Sequence, residues 1–316
     1  MLINMKPTAI KALGKKGKWG NYGILYLMAL PGLLYLVCNN YLPMFGLVIA
    51  FKNLNFRLGI LKSPWAGLSN FRYLFASKDA LIITRNTVLY NLAFIVIGTI
   101  FAIFVAILLS ELRAKFLSRL YQSIILVPQL MSWVVTGYLV FAMLSADVGL
   151  VNKGILEKLG REGISWYNTP EYWPVILVIV NQWKGIGFSA VIYLASIVGI
   201  SQDYYEAARI DGAGKIAQIR HITLPLLKPT VITLTILNLG RMFYSDFGLF
   251  YQIPRNSGAI YGATRTIDVY VYNALMNSSN FSMSSAASFY QSIVGFILII
   301  SANALIRKMS RENAIF

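Results

Sequence analysis

Four stretches of this chain, residues 19–51, 86–110, 120–146 and 269–306, contain no Asp, Glu, Lys or Arg. Each is longer than the roughly 20 residues with which an α-helix crosses a bilayer. In hydrocarbon every backbone amide must find its partner within the chain, which leaves only helices and closed barrels as spanning structures. Barrel strands alternate apolar and polar residues in segments of about 10, whereas these runs are continuously apolar. The expected fold class is therefore all-α, a polytopic membrane helical bundle. Composition agrees: 57% of residues are hydrophobic and 13% charged, against about 25% charged in soluble domains, and mean hydropathy is +0.62.

About six transmembrane helices are expected, near residues 22–45, 87–109, 120–144, 172–198, 226–249 and 286–306. Pro31 falls inside the first, where neighbouring groups in a bundle satisfy the carbonyl it frees. The fourth contains Lys184, and the fifth contains Arg241 and Asp246. A charge at mid-span costs about 2.5–3.5 kcal/mol on insertion scales, so such residues face a bundle interior or a wet cavity unless they snorkel to an interface. Arg241 is assigned to the interior; Lys184 is compatible with either. Residues 1–21 form a basic segment with five lysines and no acid, followed by an apolar run too long for a signal peptide. With that segment in the cytoplasm, the inside segments hold fifteen Lys and Arg and the longer outside loops hold ten. This is a modest positive-inside bias. It places both termini and the 203–225 loop in the cytoplasm, with residues 22–316 as one transmembrane domain. Outside, residues 63–75 read as a turn and an amphipathic segment. Residues 145–166 contain a short helical pattern with Val151, Ile155 and Leu159 on one face.

The net charge of +16 follows from basic residues lying mostly between spans, which is membrane topology rather than a nucleic-acid footprint. One Cys (Cys38) and one His (His221) exclude a disulfide framework, a Cys/His metal cluster and Ser-His-Asp or Cys-His catalysis. No catalytic residue, metal ligand or enzymatic role is assigned.

The segment "YYEAARIDGAGKIAQIRHITLPLLKP" is charged, yet lies between two apolar spans. Asp203 and Glu206 have capping-box spacing, which predicts a helix from Tyr204 that presents Ala207 and Ala208 to a partner surface. Asp211-Gly212 ends it, glycine supplying the positive φ of a C-cap. A second amphipathic stretch follows, with Ile216, Ile219 and Ile222 near one face, and Pro225 and Pro229 lead into the fifth span. "GAGK" is not a phosphate loop. A Walker A sequence requires G-x-x-x-x-G-K-[ST], but Arg209 stands where the first glycine belongs and Ile216 where the hydroxyl belongs.

"EAARIDGAGKIAQIRHITLP" resembles the EAA loop of permease subunits from bacterial binding-protein-dependent ABC importers. Glu206, Ala207, Ala208, Asp211, Gly212, Ala213, Ile222, Leu224 and Pro225 match the pattern; Ile219 departs from it, since many members have Phe there. The resemblance extends along the chain through "PMFGLVIAFKNLNF", "WAGLSNFRYLF", "RNTVLYN", "LVPQLMSWVV", "WKGIGFSAVIYLASIVGIS" and "DVYVYNALM". These look like the first permease of oligosaccharide importers. "PMFGLVIAFKN" and the 245–276 region are most similar to the branch handling polysaccharide-derived oligosaccharides, alginate among them. The resemblance implies a pore shared with a second homologous permease and two ATPase subunits below, which carry the ATP and Mg²⁺ so that this chain needs no cofactor. It also implies an extracytoplasmic solute-binding protein above and a place in the bacterial inner membrane. In that family the loop couples the ATPases to the pore, so Glu206, Ala207, Ala208, Asp211, Gly212, Ala213, Ile219, Leu224 and Pro225 are the expected coupling residues.

A sugar path needs hydroxyl partners and stacking faces, and an acidic sugar also needs cations. The candidates are Gln129, Asn181, Trp183, Arg241, Tyr244 and Asp246, drawn from a wider set of polar and aromatic residues near the spans that includes Asn91, Trp133, Tyr138, Gln182, Asn238, Tyr251 and Gln291. Arg241 is the expected contact for an anionic sugar, unless Asp246 neutralises it. The alternative is a secondary, ion-coupled transporter of a polar solute, which would use internal repeats and broken mid-membrane helices. No repeat is visible, and the 203–225 loop has no task there.

Overall fold

The computed structural model describes residues 18–76, 78–112, 114–277 and 279–309. Lys6, Lys11, Lys15 and Lys16 of the basic amino-terminal segment, Arg113 and Arg311 lie outside the described residues. Among the described residues no named strand occurs, only an isolated bridge between Lys52 and Trp65. The chain divides into two units, residues 1–48 and 49–316.

In the first unit, α1 (Lys18–Leu36) contains Pro31 and continues through a π-helical turn, Val37–Tyr41. The amide of Leu42 reaches back five residues to the carbonyl of Val37. Pro43 follows immediately. Its missing N–H and its ring disrupt the normal i to i−4 ladder, and a widened turn accommodates both. Leu25, Tyr26, Leu27 and Met28 are all exposed.

The second unit contains α2 (Ser69–Ala76), α3 (Lys78–Ser110), α4 (Lys115–Leu130), α5 (Trp133–Leu144), α6 (Trp173–Val198), α7 (Gln202–Ile210), α8 (Lys215–Leu239), α9 (Phe247–Gln252), α10 (Ile267–Met276) and α11 (Phe281–Met309). Among the described residues five helical segments are long and apolar enough to cross a membrane, and α4 with α5 makes a sixth if the pair, bent by 94°, is one span. The expectation of about six spans therefore holds, with two corrections. The expected third span is broken at Met131-Ser132. The expected fifth span, 226–249, stops at Leu239 and gives way to turns over 240–243 and irregular chain over 244–246.

α3 and α6 run parallel and form the centre of this unit. Tyr90 shares a core with Leu177 and Val180, and Ala102 and Ala106 share one with Ala190, Tyr193 and Ile197. The three alanines are fully buried, as expected where small side chains let membrane helices approach closely. α4 crosses α6 closer still: a Cβ on Gly187 would stand 2.0 Å from the carbonyl oxygen of Ile125.

The 150–159 segment is helical, a π turn over Leu150–Leu156 and a 3-10 turn over Glu157–Leu159. Of the three apolar residues expected on one face, Val151 packs against the core, whereas Ile155 and Leu159 are exposed. The anchor is Asn152, whose amide donates to the carbonyls of Ala146 and Ile164 at 2.9 Å and accepts from Trp166 Nε1 at 2.8 Å. A polar residue holds this loop because its freed backbone groups need partners more than its apolar side chains need cover.

Candidate functional site

The charged insert is a helix, a glycine turn and the first turn of a spanning helix. α7 begins one residue before Asp203. Its N-cap is Ser201, whose Oγ accepts from the Asp203 amide at 3.3 Å. The Asp203–Glu206 capping box is thus corrected: the serine supplies the cap and Asp203 sits in the first turn, where its charge suits the helix dipole. Gly212, at φ +81°, closes α7 in a Schellman arrangement, with Ala213 N donating to Ala208 O at 2.8 Å and Gly212 N to Arg209 O at 3.1 Å. Gln218 Nε2 donates to Ala213 O at 2.8 Å and pins the following turn.

The second stretch is not a separate helix. α8 starts at Lys215 and runs on through a π turn at Ile219–Thr223, closed by Leu224 N to Ile219 O, two residues ahead of Pro225. The geometry is that of Val37–Tyr41 and Pro43, with the same cause. Two contacts fasten the insert. Tyr205 Oη and the Thr223 hydroxyl are 3.0 Å apart, and Lys215 Nζ meets Glu111 Oε2, at the end of α3, at 2.6 Å.

Of the expected coupling residues, Glu206, Ala207, Asp211 and Gly212 are exposed, and Ala208, Ala213 and Ile219 are half-buried. Leu224 and Pro225 are exposed within α8. Tyr204, Ile210 and Ile216 add apolar surface, Ile210 being 86% and Ile216 82% exposed.

Midway along α3, a cavity of about 350 Å³ opens between α3, α6 and the end of α8. Asn181, Arg241 and Tyr244 line it, as do Asn91, Gln182 and Asn238. Thr99, Ser189 and Tyr193 complete its polar wall and were not anticipated; hydroxyls on spanning helices pass for ordinary helix-to-helix hydrogen-bond partners.

Three expected path residues lie elsewhere. Trp183 is exposed and does not line this cavity. The Gln129 side chain is exposed, and its carbonyl accepts from Lys184 Nζ at 3.1 Å. Asp246 accepts from Trp133 Nε1 at 2.9 Å and caps α9 through the Leu249 amide. Asp246 therefore does not neutralise Arg241, and among the described residues Arg241 forms no ion pair.

Both helix breaks adjoin this region. Lys184, only 6% exposed, closes the end of α4 by donating to the carbonyls of Pro128 (3.2 Å), Gln129 and Met131 (2.6 Å). Its ammonium lies 5.0 Å from the Trp133 ring centre, so it faces the interior and does not snorkel. At the other break, Asn91 Nδ2 donates to Tyr244 O at 3.2 Å and Gln291 Nε2 to Phe243 O at 2.9 Å, while Ser245 N donates to Asp268 Oδ2 at 2.7 Å. Irregular backbone survives at membrane depth only where protein or a wet cavity satisfies it. The Trp133–Asp246 bond joins the two breaks. Broken mid-membrane helices are thus present here, and they do not by themselves separate an importer permease from a secondary transporter.

Residues 98–311 match the family described as binding-protein-dependent transport system inner membrane component. The chain is 35% identical, over 92% of its length and 89% of the relative's, to the polygalacturonan/rhamnogalacturonan transport system permease protein YteP of Bacillus subtilis (strain 168). It is 30% identical, over 95% of its length and 97% of the relative's, to the trehalose/maltose transport system permease protein MalF of Thermococcus litoralis. Its fold superposes with TM-score 0.84 on a chain of a bacterial ABC transporter involved in the import of the acidic polysaccharide alginate, at 28% identity, covering 92% of this chain and 97% of that one. A match over two thirds of the sequence and a relative this similar along nearly its whole length settle the family: the chain is an inner membrane component of a binding-protein-dependent transport system.

Proposed function

We propose that this chain is the pore-forming permease of an ABC importer for acidic oligosaccharides, driven by ATP hydrolysis on partner subunits and coupled to them through residues 203–225. The observation that carries the substrate class is Arg241. It is a cation without a carboxylate partner among the described residues, set in a mid-depth cavity among amides, hydroxyls and Tyr244. A planar guanidinium matches a carboxylate bidentately, and the amides and hydroxyls suit the remaining hydroxyl groups of a sugar. Similarity to a polygalacturonan/rhamnogalacturonan transport system permease and to a transporter involved in alginate import supports the same class.

Coupling follows from continuity. α8 begins at Lys215 inside the insert and ends at Leu239, two residues before Arg241. It has 25 residues, about 37 Å at 1.5 Å per residue. A push on the insert therefore reaches the cavity through one helix. The exposed face of α7, which includes Glu206 and Ala207, suits a groove on an ATPase subunit, Glu206 meeting a basic residue there. A second homologous permease and an extracytoplasmic binding protein complete the assembly, in the inner membrane of a bacterium with both termini in the cytoplasm.

The test is uptake by the complete transporter in proteoliposomes, comparing trigalacturonate with its neutral methyl ester. Arg241→Gln is expected to lower trigalacturonate uptake at least tenfold and to leave the wild-type rate for the ester. Trigalacturonate uptake at the wild-type rate by Arg241→Gln removes Arg241 from the path and the acidic specificity with it.

A further inference from the structure

A second cation stands at the end of the bundle opposite the insert. α6 starts there at Trp173, whose Nε1 donates to Trp166 O at 2.7 Å and whose ring lies 5.1 Å from that of Tyr167. Arg255 reaches this end from the turn after α9. It lines two adjoining hollows, one of about 230 Å³ with Tyr138, Tyr251 and Asn256, and one of about 340 Å³ with Trp166, Tyr167 and Asn168.

The backbone that presents Arg255 is strained. Arg255 has φ 55° and Asn256 φ 49°, and a left-handed residue other than glycine costs roughly 1–2 kcal/mol. The surroundings hold this conformation firmly. Asn256 and Asn273 exchange side-chain hydrogen bonds, Asn273 Nδ2 to Asn256 Oδ1 at 2.9 Å, and Tyr261 Oη donates to Asn256 Oδ1, also at 2.9 Å. Arg255 N donates to Gln252 O at 3.3 Å. Strain of this kind persists where the structure over-determines it, often at ligand sites. Its result is a guanidinium 4.1 Å from the centre of the Phe141 ring, lying on an aromatic platform with its other surface open. Arg255 is exposed and, among the described residues, has no carboxylate within 4.0 Å, although Asp147 lines the same hollow. Tyr167 remains a neutral donor, its hydroxyl pushed up to about 12 by burial against the opposing pull of Arg255.

A fixed guanidinium flanked by aromatic rings and amides has the chemistry of a carboxylated sugar site: a fork for the carboxylate and flat apolar faces for the pyranose ring. We propose that Arg255, on its Phe141 platform, forms a separate outer subsite that takes a uronate carboxylate before the sugar reaches Arg241. This rests on the acidic-oligosaccharide reading above. Arg241 and Arg255 flank one short stretch of chain, residues 242–254, that includes all of α9, so a sugar handed from one to the other stays against the same segment.

The test is equilibrium binding of radiolabelled trigalacturonate, and of its methyl ester, to the complete complex in nanodiscs, held open by ATP on hydrolysis-deficient ATPase partners. Arg255→Gln is expected to raise the Kd for trigalacturonate at least tenfold and to leave that for the ester unchanged. Phe141→Leu, which keeps the charge and removes the platform, is expected to raise it severalfold. An unchanged Kd for trigalacturonate in both variants, in complexes of wild-type composition, overturns the subsite and leaves the acidic reading standing. Equal weakening of acid and ester, accompanied by weaker capture of the binding protein, assigns Arg255 to docking and also overturns it. Wild-type complex that binds acid and ester equally removes the acidic reading and the subsite together.

Discussion

Lys184 places a positive charge among carbonyls instead of carboxylates. It neutralises no acid. It occupies the C-terminal end of α4, where the last carbonyls lack amide partners and the helix dipole is negative. Leaving a buried acceptor unsatisfied costs about 1–3 kcal/mol, so Lys184→Met, which keeps the apolar stem, is expected to lower the thermal stability of the complex by several degrees. Thermal unfolding in detergent decides the matter, and an unchanged midpoint contradicts the capping role. Gly248 tells the same story sterically. A Cβ there would stand 2.0 Å from Trp133 Cδ1, so Gly248→Ala is expected to displace the ring, break the Trp133–Asp246 bond and lower transport with the complex intact. Intrinsic tryptophan fluorescence indistinguishable from wild type sinks that assignment.

At the level of elements, two π turns each end two residues before a proline, at Tyr41 and Pro43 and at Thr223 and Pro225. The prolines are plain in the sequence; the widened turn is not, because it depends on how the helix resolves the missing bond. Helix existence was legible from charge-free runs, and so was Gly212, since glycine after a polar helix end has one common use. The breaks were not legible. In "LVPQLMSWVV" Pro128 and the N-cap Ser132 allow a break, but the bend of 94° is not marked, because Lys184, which stabilises it, comes from a helix 53 residues further on. For the same reason the place of Asp246 outside the cavity that Arg241 and Tyr244 line was not legible: its partner Trp133 is 113 residues away. Close helix approach is equally non-local. Gly187→Ala is expected to push α4 from α6 and to cost about 1–3 kcal/mol by overpacking. Gly185→Ala, where nothing stands within 4 Å of the added Cβ, is expected to be neutral. Equal stability of the two variants in the same thermal-unfolding assay contradicts the close crossing.

Across the whole molecule, the sequence of positions is a mechanical one. An exposed helix, α7, is fastened to α8 by Tyr205 on Thr223, and the start of α8 is fastened to the end of α3 by Lys215 on Glu111. The exposed ion pair contributes little to stability, so the hinge is held chiefly by the glycine turn and the Tyr205 contact. In the proposed coupling, α8 carries displacement from there to Leu239, two residues before Arg241. Gly212 is the position where this chain of contacts is most easily broken without touching the cavity, because at φ +81° a β-branched side chain is sterically excluded. The most direct measurement is the number of ATP hydrolysed per sugar imported by the reconstituted transporter carrying Gly212→Val. At wild-type assembly, the ratio is predicted to rise at least tenfold, hydrolysis continuing while import falls. A ratio equal to wild type would contradict the proposal that the insert couples ATP hydrolysis to the pore.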